Sequence, residues 1–287
     1  VNLLLAAAYV LIWGSAFNAA RLVVLEWPVL WSLALRFALT APLVWLVWRA
    51  LRAPWPRGGD RWRVLFMGGV GVGLYLSLSW GAAAFIPAGL VSLLAAAAPL
   101  FVALGEAAQG RRLPARGWLG LGLGWGGVCV LGGFRAADGL AEAEALGIAL
   151  ALAGAAVQAI GLLVYAPARA RVDPWTANLA QSCAAAAVTL LLALALAVPP
   201  PEGASAAVIG GMAYSVVLVG VAGYALFFAV IGRFGAARAA ALQLLAPPVA
   251  VAIGWAGFGE RLYATDLLGG AMTLFGLALL FRTRPAP

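Results

Sequence analysis

The sequence predicts an all-α membrane protein: ten transmembrane helices arranged as two inverted-topology five-helix repeats. Three observations carry that reading. Of 287 residues, 65% are hydrophobic and only 10% charged, far from the roughly 45–50% apolar and about 25% charged residues of a soluble domain. The apolar residues fall in runs of the length a bilayer requires, about 20 residues each. The chain also matches itself when shifted by 149 positions.

Taken in order, the runs are approximately 3–24, 29–48, 62–84, 87–109, 115–134, 145–167, 174–198, 206–231, 235–257 and 264–281. They are Ala/Leu-rich and do not alternate in polarity, which excludes the roughly ten-residue alternating strands of a membrane β-barrel. The first run has no basic segment before it and is too long for a signal-peptide core, so it is expected to be a retained span. The connections are short, and no separate soluble domain is expected.

The charges orient the helices. All eighteen basic residues are Arg, and the chain has no Lys and no His. With the sides numbered alternately, fourteen Arg fall on the side of the N-terminus: Arg49, Arg52, Arg57, Arg61, Arg63, Arg111, Arg112, Arg116, Arg169, Arg171, Arg233, Arg238, Arg282 and Arg284. Arg135 and Arg261 lie on the other side, with Arg21 and Arg36 assigned to helix ends near it. Glu26, Asp138, Glu142, Glu144, Glu202, Glu260 and Asp266 also fall on that side. Arg-rich short loops stay in the cytoplasm, so both termini are expected there. The net charge of +8 thus marks a membrane face rather than a nucleic-acid surface. Without His, and with Cys129 and Cys183 inside separate spans, no metal, cofactor or disulfide is expected.

The internal match lays Gly71–Leu131 over Gly220–Leu280 without a gap. Tyr75 meets Tyr224, Phe85 meets Phe234, Pro99 meets Pro248, Gly105 meets Gly254, Gly120 meets Gly269 and Gly127 meets Gly276. The first two spans of each half align near an offset of 146. Residues 1–138 and 139–287 are then two repeats of five spans. Five is odd, so the second begins on the opposite side of the membrane. Inverted repeats characterise secondary transporters, with the substrate held near the midplane between them.

Trp13-Gly14-Ser15-Ala16-Phe17-Asn18, Leu35-Arg36-Phe37, and Pro99 and Pro247-Pro248 followed by Gly110-Arg111-Arg112-Leu113 and Gly259-Glu260-Arg261-Leu262 resemble the drug/metabolite transporter superfamily, EamA family. The first half departs from the family's usual G-E-x-L ending, because Arg111 replaces the Glu. The resemblance covers essentially the whole chain and implies a basket-shaped bundle that moves small metabolites. Length, Trp content and pattern are similar to YddG-type exporters, which implies export of aromatic or neutral amino acids across a bacterial inner membrane. Drugs or other small molecules are the alternative cargo. The expected partners are a small-molecule substrate and the lipid bilayer, with a monomer as the working unit.

The family places the first, third, fourth, sixth, eighth and ninth helices around the cavity. Polar and aromatic residues there are the cavity candidates: Trp13, Ser15, Asn18, Tyr75, Ser79, Ser92, Gln158, Tyr165, Tyr224 and Gln243. Hydroxyls and amides can meet an amino acid's polar head, and aromatic rings its side chain or ammonium. Pro99, Pro247 and Pro248 are expected to kink helices at matching points of the two halves. Glu106 is the candidate coupling acid. No acid is expected at a helix midpoint, which points to a largely neutral path and to facilitated or exchange transport. A channel is the other transport mechanism to weigh. An intramembrane enzyme is the rival class, but paired acids, a His or a Ser–Lys arrangement at membrane depth are lacking.

Overall fold

The computed structural model describes residues 2–110, 114–137, 142–234, 242–261 and 263–283, and every regular element among them is helical. In chain order these are α1 (Asn2–Val24), α2 (Val29–Leu51), α3 (Gly59–Phe66), a π-helical segment (Met67–Leu74), α4 (Tyr75–Ala82), α5 (Ala88–Ala95), α6 (Ala98–Ala108), α7 (Ala115–Ala137), α8 (Glu142–Tyr165), α9 (Pro174–Ala195), α10 (Ala206–Ala213), a second π-helical segment (Tyr214–Gly223), α11 (Tyr224–Phe234), α12 (Ala246–Phe258) and α13 (Ala264–Thr283). Eight continuous helical stretches among the described residues are long and apolar enough to cross a membrane. α7, with 23 residues, and α12, with 13, lie where the other two expected spans fall. Arg111, Arg112, Asp138, Arg238 and Arg284 lie outside the described residues.

Local chemistry sets the boundaries. Asp173 caps α9 by accepting from the Trp175 and Thr176 amides, with Pro174 in the first turn where its missing N–H costs nothing. Ser205 caps α10 through the Val208 amide. Gly259 ends α12 at φ 64°, a left-handed conformation that glycine adopts without a Cβ penalty.

Polar connections sort the loops into two ends. At one end, Trp48 and Pro54 share the Thr176 hydroxyl (both 2.9 Å), Arg63 donates to the Val164 carbonyl (3.1 Å), and Arg171 grips Asp60 with two nitrogens. At the other, Trp27 reaches the Gly203 carbonyl (2.7 Å), Trp31 that of Val198 (2.9 Å), and Ser205 donates to Glu26 (2.7 Å). The first end carries the arginine-rich loops and the second the acidic ones, in agreement with the alternation read from the charges.

The two repeats interlock. The first π-helical segment packs on α8 and α9 of the second half. A Cβ at Gly68 would lie 2.6 Å from Gln181 Cα, and one at Gly71 3.0 Å from Gly161 Cα. The second π-helical segment packs on α1 and α2 of the first half, through Gly223 against Ile12 and Gly220 against Thr40. α7 and α13 lie antiparallel: Gly120 abuts Gly276, Gly127 abuts Gly269, and Thr273 donates to the carbonyl of its own repeat mate Gly124 (3.4 Å). The α7–α13 contacts are thus images of one another under exchange of the halves, which places a pseudo-two-fold axis beside Gly124 and Thr273. Glycines allow the two backbones this approach.

Polarity is inverted relative to a soluble protein. Asn18, Ser32, Arg36, Thr40, Ser79, Asn178, Gln181 and Ser215 are buried, while Leu3, Leu46, Leu119, Leu191, Ile209 and Phe275 are among the exposed residues. An apolar exterior suits a lipid solvent, and polar groups turn inward.

Candidate functional site

Tyr75 and Tyr224, the repeat mates, each begin the α-helix that follows a π-helical segment. Long π-helical stretches are rare and concentrate at functional positions. Two of them ending at corresponding residues, Leu74 and Gly223, place the tyrosines symmetrically. Both tyrosines are half-buried.

Near both lies Arg36, read from the sequence as part of the Leu35-Arg36-Phe37 motif and as a charge near a helix end. Arg36 is not at a helix end. It is the eighth residue of α2, about 10 Å along its axis, and only 7% exposed. Its guanidinium lies 4.8 Å from the Phe37 ring centroid and 5.5 Å from that of Trp80. Nε points at the Ser215 carbonyl in the second π-helical segment (3.4 Å), and one terminal nitrogen has no hydrogen-bond partner. Tyr75 and Tyr224 are near enough to interact with it electrostatically. No carboxylate among the described residues pairs with it. The expectation of a largely neutral path is therefore corrected: the interior holds a fixed cation.

Two of the expected residues adjoin the tyrosines, and two more lie further along α1. Trp13 of α1 meets Tyr224 edge-on at 5.7 Å and also touches Tyr9 and Phe227. Its indole nitrogen lacks a partner. From Tyr224 the aromatic contacts continue through Phe228 to Trp175. Ser79, one turn after Tyr75, is fully buried with an unpartnered hydroxyl, and Gly154 of α8 leaves it room. Ser15 donates to the Leu11 carbonyl (2.7 Å), as intrahelical serines do, and pairs with the Tyr214 hydroxyl. Asn18 is 2% exposed and holds the Ala250 carbonyl of α12 (3.2 Å), leaving its own oxygen unpartnered.

Other candidates stand apart. Tyr165 packs with Val64, Met67 and Val172 in a separate cluster at the arginine-rich end, away from the Trp13–Tyr224 contacts. It ends α8, which packs on α3 and the first π-helical segment. Ser92 is buried within α5, Gln158 is half-buried on α8, and Gln243 is exposed just before α12. Glu106 is half-buried in the third turn of α6.

The three prolines expected to kink helices each stand at a helix start. Pro99 stands in the first turn of α6 after a break at 96–97, and Pro247 and Pro248 in the first turn of α12 after a break at 244–245. The mates Pro99 and Pro248 thus mark equivalent interruptions in the two halves.

Four segment ends meet at the acidic side. Glu260 accepts from the Ala88 amide at the start of α5 (2.9 Å) and pairs with Arg21 Nε (3.5 Å). Arg21 also donates to the Ala83 and Ile86 carbonyls (2.8 and 2.6 Å). This network ties α1, α4, α5 and α12 together. The sequence placed Glu260 on the arginine-poor side and showed nothing of its partners.

Comparison with known proteins agrees with this architecture. No curated protein matches the chain. A solved crystal structure shares the fold at a TM-score of 0.61 and 22% identity, covering 96% of this chain and 94% of the other. The EamA-like transporter family matches twice, over residues 2–133 and 145–282, one match in each half of the bundle. The chain belongs to the EamA-like transporter family.

Proposed function

We propose that the protein is a ten-span secondary transporter that exports small metabolites, aromatic or neutral amino acids foremost, by alternating access of two inverted repeats, residues 1–138 and 139–287. α7 and α12 supply the two spans beyond the eight long apolar ones. The observation that carries the reading is the antiparallel α7–α13 crossing, where Gly124 meets its own mate Thr273. Helices that span a membrane and are exchanged antiparallel by a two-fold axis require that axis to lie in the membrane plane, which is the geometry of inverted repeats. Exchange of the two halves' conformations then opens a central site to each side in turn. The arginine-rich end faces the cytoplasm in this reading, and the membrane is a bacterial inner membrane.

The candidate site is the space around Tyr75, Tyr224, Trp13 and Ser79, with Ser15, Asn18, Ser92, Gln158 and Gln243 as further polar positions and the Pro99 and Pro248 breaks as hinges. The work done is binding and reorientation, without a catalytic step or cofactor. The test is counterflow of labelled amino acids, nucleosides and cationic drugs into liposomes holding the purified protein. Saturable uptake accelerated by unlabelled solute inside supports a carrier. Ohmic current without such acceleration means a channel, and no amino-acid flux removes the cargo assignment.

A further inference from the structure

We propose that Arg36 is the anchor for a substrate carboxylate, so that the cargo class is a monoanionic carboxylate with an aromatic or apolar remainder. The inference rests on the transporter reading and deepens it, because it assigns one substrate group to one side chain.

A buried, unpaired charge is among the costliest features a fold can hold. In a membrane protein it persists where it serves a ligand or a pathway. Arg36 is 93% buried by the complement of its 7% exposure, has a free terminal nitrogen, and is paired with no described carboxylate. The neighbours that hold it are weak substitutes for an anion: two aromatic faces and one long contact to the Ser215 carbonyl. None of them neutralises it. A guanidinium presents parallel N–H groups that match a carboxylate, and the match strengthens where water is scarce.

The number of cations limits the anion's charge. Arg21, the arginine of α1, is already engaged by Glu260 and two carbonyls. One free positive charge balances one negative charge, which favours a carboxylate over a phosphate dianion. The site is also single. The aligned position in the second repeat is Ser182, at the offset of 146, so only one half supplies an anion anchor. Tyr75, Tyr224 and Trp80 form the wall for the remainder. No described acid stands with them to bind an ammonium, so the amino group is not required for binding.

The full chain, purified in detergent, is melted with phenylacetate, phenylalanine or phenethylamine and then reconstituted for counterflow of the same three solutes. Phenylacetate and phenylalanine are expected to raise the Tm, and phenethylamine to leave it unchanged. Arg36→Lys should raise the half-saturating carboxylate concentration at least tenfold, and Arg36→Gln should abolish the shift. The wild-type comparison of acid with amine needs no variant, so it stands even where Arg36→Gln fails to fold. Equal stabilisation by phenethylamine, a carboxylate shift retained in Arg36→Gln, or no carboxylate shift in the wild type would each overturn the assignment. Counterflow of the amine but not the acids overturns it while sparing the transporter reading. Carboxylate binding without counterflow of any solute overturns the transporter reading and leaves Arg36 as an anion site.

Discussion

Replacing Glu260 tests whether the network at the acidic end holds that end shut. Its side chain is 7% exposed and that of Arg21 is 23% exposed. Removing one partner of a fully buried pair costs about 3–5 kcal/mol. Arg21 keeps two carbonyl partners and some solvent, so Glu260→Ala should cost the closed arrangement about 2–3 kcal/mol, including the lost Ala88 cap. Glu260→Gln keeps an acceptor for the Ala88 amide and loses the ion pair, worth about 1 kcal/mol. At about 1.4 kcal/mol per decade, the open population should rise roughly 30–150-fold for Ala and about fivefold for Gln. The reporter is Ser79→Cys, with Cys129 and Cys183 changed to Ser. It is labelled by a membrane-impermeant maleimide applied from the acidic side. A labelling rate that rises from the parent through Gln to Ala confirms the latch. An unchanged rate in a folded Glu260→Ala protein refutes it.

Three further outcomes are expected. Gly127→Ala and Gly276→Ala would each set a Cβ about 2.5 Å from the carbonyl of the facing helix, where backbone cannot yield, so both should lower the Tm in detergent by the equivalent of about 2 kcal/mol or more, whereas Gly122→Ala, with open space around it, should be neutral or slightly stabilising. Tyr214→Phe removes the bond to Ser15 and should cost about 0.6–1 kcal/mol, read as a small drop in Tm. Flux in liposomes should be indifferent to Glu106→Gln and to the direction of an imposed pH gradient. Flux that follows the gradient and is lost in that variant would establish proton coupling.

The sequence and the structure agree best where a rule is one-dimensional. Bilayer thickness fixes run length, and prolines at 28, 87 and 174 stop or start helices, so α1, α2 and α9 begin within a residue or so of the expected positions. The repeat register survived because Tyr75/Tyr224 and Pro99/Pro248 are rare residues in an Ala- and Leu-rich background. The π-helical segments escaped because a 3.6-residue template cannot report a wider turn. The available signal is the glycine density of Met67–Leu74, four glycines in eight residues. The depth of Arg36 escaped for a different reason. Counting arginines to orient loops treats every one as a surface charge, although the run from Val29 to Trp48 is otherwise free of charge. Tyr165 shows that residue type and helix number do not fix surroundings: it ends α8 among Val64, Met67 and Val172, and which helices lie opposite is decided by tertiary packing.

The α7–α13 crossing has a consequence for how tightly different parts of the bundle can be joined. Exchanging the two halves turns this pair into itself, so in the alternating-access cycle proposed above the geometry at Gly124 and Thr273 would be the same before and after. Contacts elsewhere, such as Arg21 with Glu260, have images with different residues and would be made and broken in that cycle. An axle can be welded where a door cannot. Backbone-to-backbone glycine packing, the least adjustable join available to helices, sits at this crossing, while the acidic end is held by side chains, as that cycle requires.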